Sequence, residues 1–225
     1  MSRKFLQNEN LDPRIGSDSQ RKKTLKEAIT RYLKEGHMLP EQIKNFREMI
    51  TLKEGAYVLL RPMVREDESR LMEFYSMARE DDLRYLRHEV KNPVVIRDWC
   101  DRLDYNKVLP LLAFAEERIV GSASLHFCEG PKRHIGEVHM FLATDYRKCG
   151  LGRKMVRALI DLARKRGLGI LMAEVVAEET KMIKAFESLG FKTRVTLDDY
   201  FMLPDGDLHD VVLMTMPLRM QTEEF

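Results

Sequence analysis

The sequence predicts a mixed α/β domain, and three observations carry that prediction. Residues 136–166, GEVHMFLATDYRKCGLGRKMVRALIDLARKR, run strand, glycine-bearing turn, helix. Leu109–Ala115 and Ile119–Phe127 are apolar runs joined by Glu116-Glu117-Arg118, the pattern of an antiparallel hairpin. Gly169–Val176 is a short and largely apolar run, as a central strand covered on both faces should be.

Composition narrows the class. Charged residues at 33% beside hydrophobic ones at 44% fit a globular, helix-rich chain and argue against a disordered or fibrous one. The balance of 38 basic and 36 acidic residues gives a net charge of +2, so no global field speaks for nucleic acid; the basic excess is local, around 147–166. No stretch approaches a membrane span, and MSRKFLQNENLDPR lacks the apolar centre of a signal peptide, so a cytoplasmic protein without a membrane partner is expected. Cys100, Cys128 and Cys149 are odd in number and have no CxxC or histidine partner, which suggests neither a disulfide framework nor a metal site.

Taken in order, residues 1–20 are polar, and a helical pattern then sets Leu25, Ala28, Ile29, Tyr32 and Leu33 at steps of three and four, ending near Gly36. Leu39-Pro40-Glu41 reads as the start of a second helix carrying Ile43, Phe46, Met49 and Ile50. Residues 1–55 are therefore expected to be a helical hairpin, an extension that packs on the domain or makes a homodimer contact. The domain itself is expected over 56–218, followed by a tail at 219–225. Ala56–Met63 reads as its first strand, and the helix after it should bury Leu71, Phe74, Tyr75 and Ala78 while 66–70 stay solvated. Asp81–Arg87 and Pro93–Asp104 suggest further helical turns. Thr180–Leu189 should be a helix ended by Gly190, and Phe191–Leu203 with Leu208–Leu218 a last hairpin around Pro204-Asp205-Gly206-Asp207.

The stretch with a ligand geometry of its own lies in residues 136–166. Val138, Met140 and Leu142 alternate with Glu137, His139 and Phe141, the period of a strand with two unlike faces. Arg147-Lys148-Cys149-Gly150-Leu151-Gly152 then leads into Arg153, Lys154 and an apolar stripe of Met155, Val156, Leu159, Ile160, Leu162 and Ala163. The first N–H groups of a helix have no partner within it and carry the positive end of its dipole, so such a turn receives phosphate. Glycines let a diphosphate approach the backbone, and Arg147, Lys148, Arg153 and Lys154 add charge at the same place.

Arg147-x-x-Gly150-x-Gly152 between a strand and a helix resembles the acyl-coenzyme A signature of the GNAT family of N-acetyltransferases. Glu137, the helix exit Arg164-Lys165-Arg166-Gly167 and Ser188-Leu189-Gly190-Phe191 add to the likeness, which covers roughly 56–218. Within the family, LLRPMVREDE, GEVHMFL, GLGRKMVRALIDLARKRG and AEETKMIKAFESLGF look most like bacterial protein lysine acetyltransferases. The resemblance implies a mainly antiparallel sheet splayed at its centre, acetyl-CoA as cosubstrate, no metal, and a protein lysine or a small-molecule amine as acceptor. It also implies that Phe141, Leu142 and Ala143 offer backbone groups to the pantetheine arm where the strand splays, with the Leu142 N–H placed for an oxyanion, and that residues 147–154 hold the diphosphate.

An ammonium with a pKa near about 10.4 has no lone pair to attack with, so the reaction needs a base. Glu137, which matches the catalytic glutamate of the similar enzymes, is the expected base; His139, on the same strand face, is its rival. Either residue also has a plain structural reading, as a solvated strand-edge carboxylate and as a packed imidazole. The similar enzymes often place Asn at the start of the next helix and Tyr seven positions on as proton donor. Here Glu179 and Phe186 stand there, which leaves open a non-catalytic acyl-CoA-binding sensor or interaction domain.

Overall fold

A computed structural model describes residues 40–53, 55–86 and 88–218. The expected first helix and the tail at 219–225 lie outside them. The helices are α1 (Pro40–Lys44), α2 (Glu68–Ser76), α3 (Glu80–Leu83), α4 (Pro93–Asp101), α5 (Leu151–Lys165) and α6 (Thr180–Glu187). The strands are β1 (Glu48–Thr51), β2 (Tyr57–Pro62), β3 (Val108–Ala115), β4 (Arg118–Phe127), β5 (Ile135–Leu142), β6 (Ile170–Val176), β7 (Lys192–Met202) and β8 (Leu208–Pro217). Among the described residues they form one sheet in the order β1-β2-β3-β4-β5-β6-β8-β7, antiparallel throughout except between β5 and β6.

The expected second helix of the N-terminal hairpin stops at Lys44. Arg47 Nη1 donates to the carbonyls of Lys44 (2.9 Å) and Phe46 (2.7 Å), which caps the exit. Glu48–Thr51 then pairs with β2. Ile43, Ile50 and Leu52 are buried in the main core, so residues 40–52 share one core with the domain expected to begin at Ala56, and Glu48–Thr51 shares its sheet. In so short an apolar run, helical and extended spacing are alike, and the free edge of β2 decides between them.

Periodicity is obeyed elsewhere. Helix α5 buries Leu151, Met155, Val156, Leu159, Ile160, Leu162 and Ala163 against β3, β4 and β5. On the opposite face α2 and α4 pack together, with Leu71, Phe74, Tyr75, Ile96 and Cys100 closing a second core with Phe141. Helix α4 is started by Pro93 and by the Asn92 side chain, which accepts the Val94 N–H at 3.0 Å. Asp67 corrects the expectation of a solvated 66–70: its carboxylate is wholly buried, bound by both arms of Arg61 (2.7 and 2.5 Å) and by the Val64 N–H at 2.8 Å. A paired guanidinium offsets the cost of burying that charge.

The centre of the sheet opens. Strand β5 pairs with β6 only at Ile135↔Ile170, Gly136↔Leu171 and Glu137↔Met172, while its ladder with β4 continues to Leu142. The strands therefore part right after Glu137, earlier than the expected opening between Phe141 and Ala143. A Cβ on Gly136 would lie 2.6 Å from Leu125 and 2.7 Å from Leu168 side-chain atoms, so the closed end is tightly packed. Beyond it β6 follows β8, to which it is paired at seven positions, and sheet twist separates it from β5.

Candidate active site

Two structures meet at the mouth of this opening: the free edge of β5 and the N-terminus of α5. Gly150 caps α5 at φ +91°, a conformation an L side chain rarely adopts, and no side chain caps the helix. The first-turn N–H groups of a fifteen-residue helix are thereby left for an anion. A Cβ on Gly150 would find nothing closer than the Lys53 side chain at 3.9 Å, so the surface in front of it is open. Gly152 plays another part: its Cβ would come within 3.1–3.2 Å of Leu142 and Met140, so it lets α5 close on β5. Lys148 holds φ +65°, a strained value for a residue with a Cβ. These features fit the diphosphate of a coenzyme A thioester.

The side chains expected around that turn divide. Arg153 and Lys154 stand on the first turn of α5, Arg153 exposed and Lys154 half-buried, and Arg153 also donates to the Ser188 carbonyl at 3.4 Å. Arg147 turns back instead: Nη1 meets Asp82 at 2.8 Å, and Nε and Nη2 reach the Leu142 carbonyl at 3.3 and 3.2 Å. The Arg147 guanidinium, with Arg79 beside it, holds the Asp82 carboxyl down at about 2. Leu151 is buried in the core, and Cys149 donates its thiol to the Tyr146 carbonyl at 3.0 Å, so both offer the site backbone only. Lys53, in the turn between β1 and β2, adds a cation that sequence reasoning missed; its N–H also reaches the Cys149 carbonyl at 3.4 Å.

Along β5 the backbone directions alternate. Ile135 accepts from Cys128 and Ala143 donates to Val120, so odd-numbered residues bond toward β4 and the Ala143 N–H is taken. Met140 and Leu142 accordingly turn their N–H groups to the open side, as expected of Leu142.

Side chains of the odd positions share a face with Ser122, Ser124 and His126 of β4. The register sets Glu137 opposite His126 and His139 opposite Ser124. His139 Nε2 lies 3.2 Å from Glu137 Oε1, at an angle outside hydrogen-bond geometry. The His126 and His139 rings meet edge to face at 4.7 Å, and His126 Nε2 is 3.0 Å from Ser124 Oγ. Sequence reasoning singled out Glu137 and His139; His126 was hidden because its relation to them exists only across the ladder. Glu174 was missed for the same reason: it lies two residues beyond Met172, the partner of Glu137, and so on the same face across the opening.

A cavity of about 260 Å³ adjoins this cluster, walled by Tyr75, Tyr85, His88, Trp99, His126 and His139 among mostly apolar neighbours. Its one carboxylate among the described residues, Asp98, is paired with Arg102 at 2.7 Å. Burial pushes the Tyr75 phenol up to about 12, against the opposing effect of its hydrogen bond with Ser122, so it remains neutral. Phe186, at the position where the resembling enzymes carry a phenol, is buried edge to face on Phe191 at 4.9 Å. Among the described residues no three His, Cys, Asp or Glu side chains converge as a metal would require, and no helix is long and apolar enough to cross a membrane.

Comparison with known proteins agrees with this geometry. The sequence model of the acetyltransferase (GNAT) family matches residues 64–191. The ribosomal protein bS18 alanine N-acetyltransferase of Escherichia coli is 38% identical over 76 residues, which are 34% of this chain and 51% of that protein. The chain thus spans about half the length of this curated relative. An acetyltransferase of Pseudomonas aeruginosa is 29% identical over 159 residues, 66% of this chain and 82% of that one. Among solved structures, the GNAT domain of S. lividans PAT superimposes with a TM-score of 0.65 at 18% identity, covering 80% of this chain and 99% of that one. A Salmonella typhimurium protein, yncA, described with its cofactor acetyl-CoA, gives 0.62 at 19%, covering 72% and 96%. These two likenesses concern the fold.

Proposed function

The chain belongs to the GNAT family of acetyltransferases, and on that premise we propose that it moves an acetyl group from acetyl-CoA to a primary amine of a polypeptide, with Glu137 as general base. One observation carries the reading: an uncapped helix N-terminus behind Gly150 stands at the open edge of β5, and Glu137 marks the position where that edge begins. The first-turn amides of α5, with Lys148, Lys154 and Lys53, hold the diphosphate. The acyl thioester supplies an activated carbonyl. The Leu142 N–H receives its oxygen as charge develops there, and Glu137 removes a proton from the attacking amine.

The cavity favours an acceptor with an apolar first residue over a polycation, because its carboxylate is already paired. An N-terminal α-amine has a pKa of about 7.7–8.0 against about 10.4 for lysine, so far more of it is neutral at physiological pH. That chemistry and the alanine N-acetyltransferase relative support an α-amine; lysine is the competing acceptor. The test offers acetyl-CoA with a peptide beginning in alanine and, separately, an N-blocked peptide carrying one lysine, and follows thiol release. Release with the first peptide is expected, and Glu137→Gln should lower kcat by roughly 10²–10⁴ while acetyl-CoA still stabilises the protein. Stabilisation with no release against either peptide or a panel of small amines would make the chain an acyl-CoA-binding domain and not an enzyme.

A further inference from the structure

Glu137 is not part of the cavity wall, whereas His139 and His126 are. The carboxylate proposed as base is only 12% exposed, and His139, at 29%, stands next to it and lines the cavity. A cavity-bound amine therefore meets an imidazole before it meets the carboxylate. His139 Nε2, the nitrogen beside Glu137, is itself buried with no hydrogen-bond partner, so a modest turn of the ring would complete a bond to Oε1.

We propose that the amine's proton reaches Glu137 through His139, and that His126, facing Glu137 across the β4–β5 ladder, holds the His139 ring in place. The proposal rests on the acetyltransferase reading of the same site. In the transfer, the bond from a proton to the ammonium nitrogen breaks as one forms to the imidazole nitrogen nearer the cavity. The Nε2 proton passes to Glu137 Oε1, leaving a neutral imidazole in its other tautomer and a neutral carboxyl. The freed lone pair attacks the thioester carbon and the C–S bond breaks. The second amine proton, acidic in the adduct, leaves with the thiolate as free thiol; Glu137 then hands its proton back to Nε2 as the cavity-side nitrogen gives its own to water, which restores the carboxylate and the starting tautomer. His139 is the catalytic residue of this relay and His126 a positioning residue.

His126 has two means of positioning. Its ring packs edge to face on His139 at 4.7 Å, and its Nε2 is anchored at 3.0 Å to Ser124 Oγ, opposite His139 in the ladder. The two imidazoles and Glu137 thus form one cluster. The other groups facing it are Tyr75 on α2, Tyr85 and His88 before α4, the Asp98–Arg102 pair of α4, Cys128 after β4 and Glu174 on β6. Burial, and then Glu137, push the Cys128 thiol up, so it stays protonated beside the relay.

The test uses the full chain, acetyl-CoA and the alanine-terminated peptide, with acetyl-CoA thermal stabilisation as the check on folding. His139→Gln and His139→Asn should each lower kcat about 100-fold with unchanged acetyl-CoA stabilisation, and added imidazole should restore part of the rate in His139→Ala. His126→Gln should lower kcat about tenfold while KM for the peptide and the acetyl-CoA stabilisation stay unchanged, because the ring it releases still stands in the cavity wall. Rates within threefold of wild type in both His139 variants would overturn the relay and leave the acetyltransferase reading standing with Glu137 as direct base. A kcat within threefold of wild type in His126→Gln would remove His126 from it. A wild-type chain that binds acetyl-CoA and acetylates neither peptide nor amine would overturn both readings together.

Discussion

Lys148 adopts φ +65° two residues before Gly150, in the left-handed region where a Cβ costs about 1–2 kcal/mol. A strained cation at the entry to the proposed diphosphate site joins two effects that a single substitution separates. Lys148→Gly should raise Tm by a few degrees, since glycine takes this conformation freely, and should raise KM for acetyl-CoA through the lost charge. A variant neither more stable nor weaker in KM would deny both roles. Gly150 and Gly152 separate in the same manner. The sequence marks both as positions where bulk is unwelcome, and a ligand clash at each is the natural reading of it. The structure supplies different surfaces: Gly150 faces open space with a left-handed backbone, whereas a side chain at Gly152 meets Leu142 and Met140. Gly152→Val should therefore lower Tm without any ligand present, and a Tm equal to wild type would show that α5 can move away from β5 at no cost. The spacing of the glycines was legible; which neighbour each one faces depends on strands that the motif does not contain.

At the scale of elements, α3 and the turn before α5 are fastened by Asp82 to Arg147, with Arg79 on the other side of the carboxylate at 3.1 Å. A carboxyl held at about 2 contributes stability that is complete above the ordinary range near about 3.9 and is lost as pH falls through about 2. The Tm gap between wild type and Asp82→Asn should accordingly be constant at neutral pH and close between about pH 4 and pH 2. A gap that stays flat over that interval would show that the pair adds nothing to the fold. Elements with a full period were readable in advance: the stripe of α5, the β3–β4 hairpin and the turn at 204–207 all fall where the pattern put them. The failure at 40–52 is instructive because Ile43, Met49 and Ile50 fit either period, and only the β2 partner, distant in pattern though near in chain, selects the strand. Removing residues 1–55 should then strip, among the described residues, the buried side chains of Ile43, Ile50 and Leu52, at about 1.5–3 kcal/mol each. Against a total stability of about 5–15 kcal/mol, that loss should leave an insoluble or barely folded product.

At the scale of the whole described sheet, two half-sheets are joined at a narrow seam. Strands β1 to β5 form one half and β6, β8 and β7 the other, and the ladder between them has three paired positions against seven between β6 and β8. Helix α5 covers β3, β4 and β5, so it belongs to the first half. A ligand that lies along the free edge of β5 with its diphosphate at the start of α5 would bond to groups beside the seam that β6 does not pair. Binding to the folded state alone stabilises it by about 2.7 kcal/mol at a hundredfold excess over Kd, with a Tm rise of roughly 5–10 °C for a chain of this size. The location of the gain is the sharper expectation. Amide hydrogen exchange with saturating acetyl-CoA should slow at 138–142 and at 150–154, the seam edge and the helix start. It should change little in β7, an edge strand exposed along nearly its whole length and remote from the opening. Protection spread evenly over the sheet would mean that the ligand stabilises the fold as one unit and that the seam is no hinge. Protection confined to β7 and β8 would place the coenzyme elsewhere and remove Gly150 from its site.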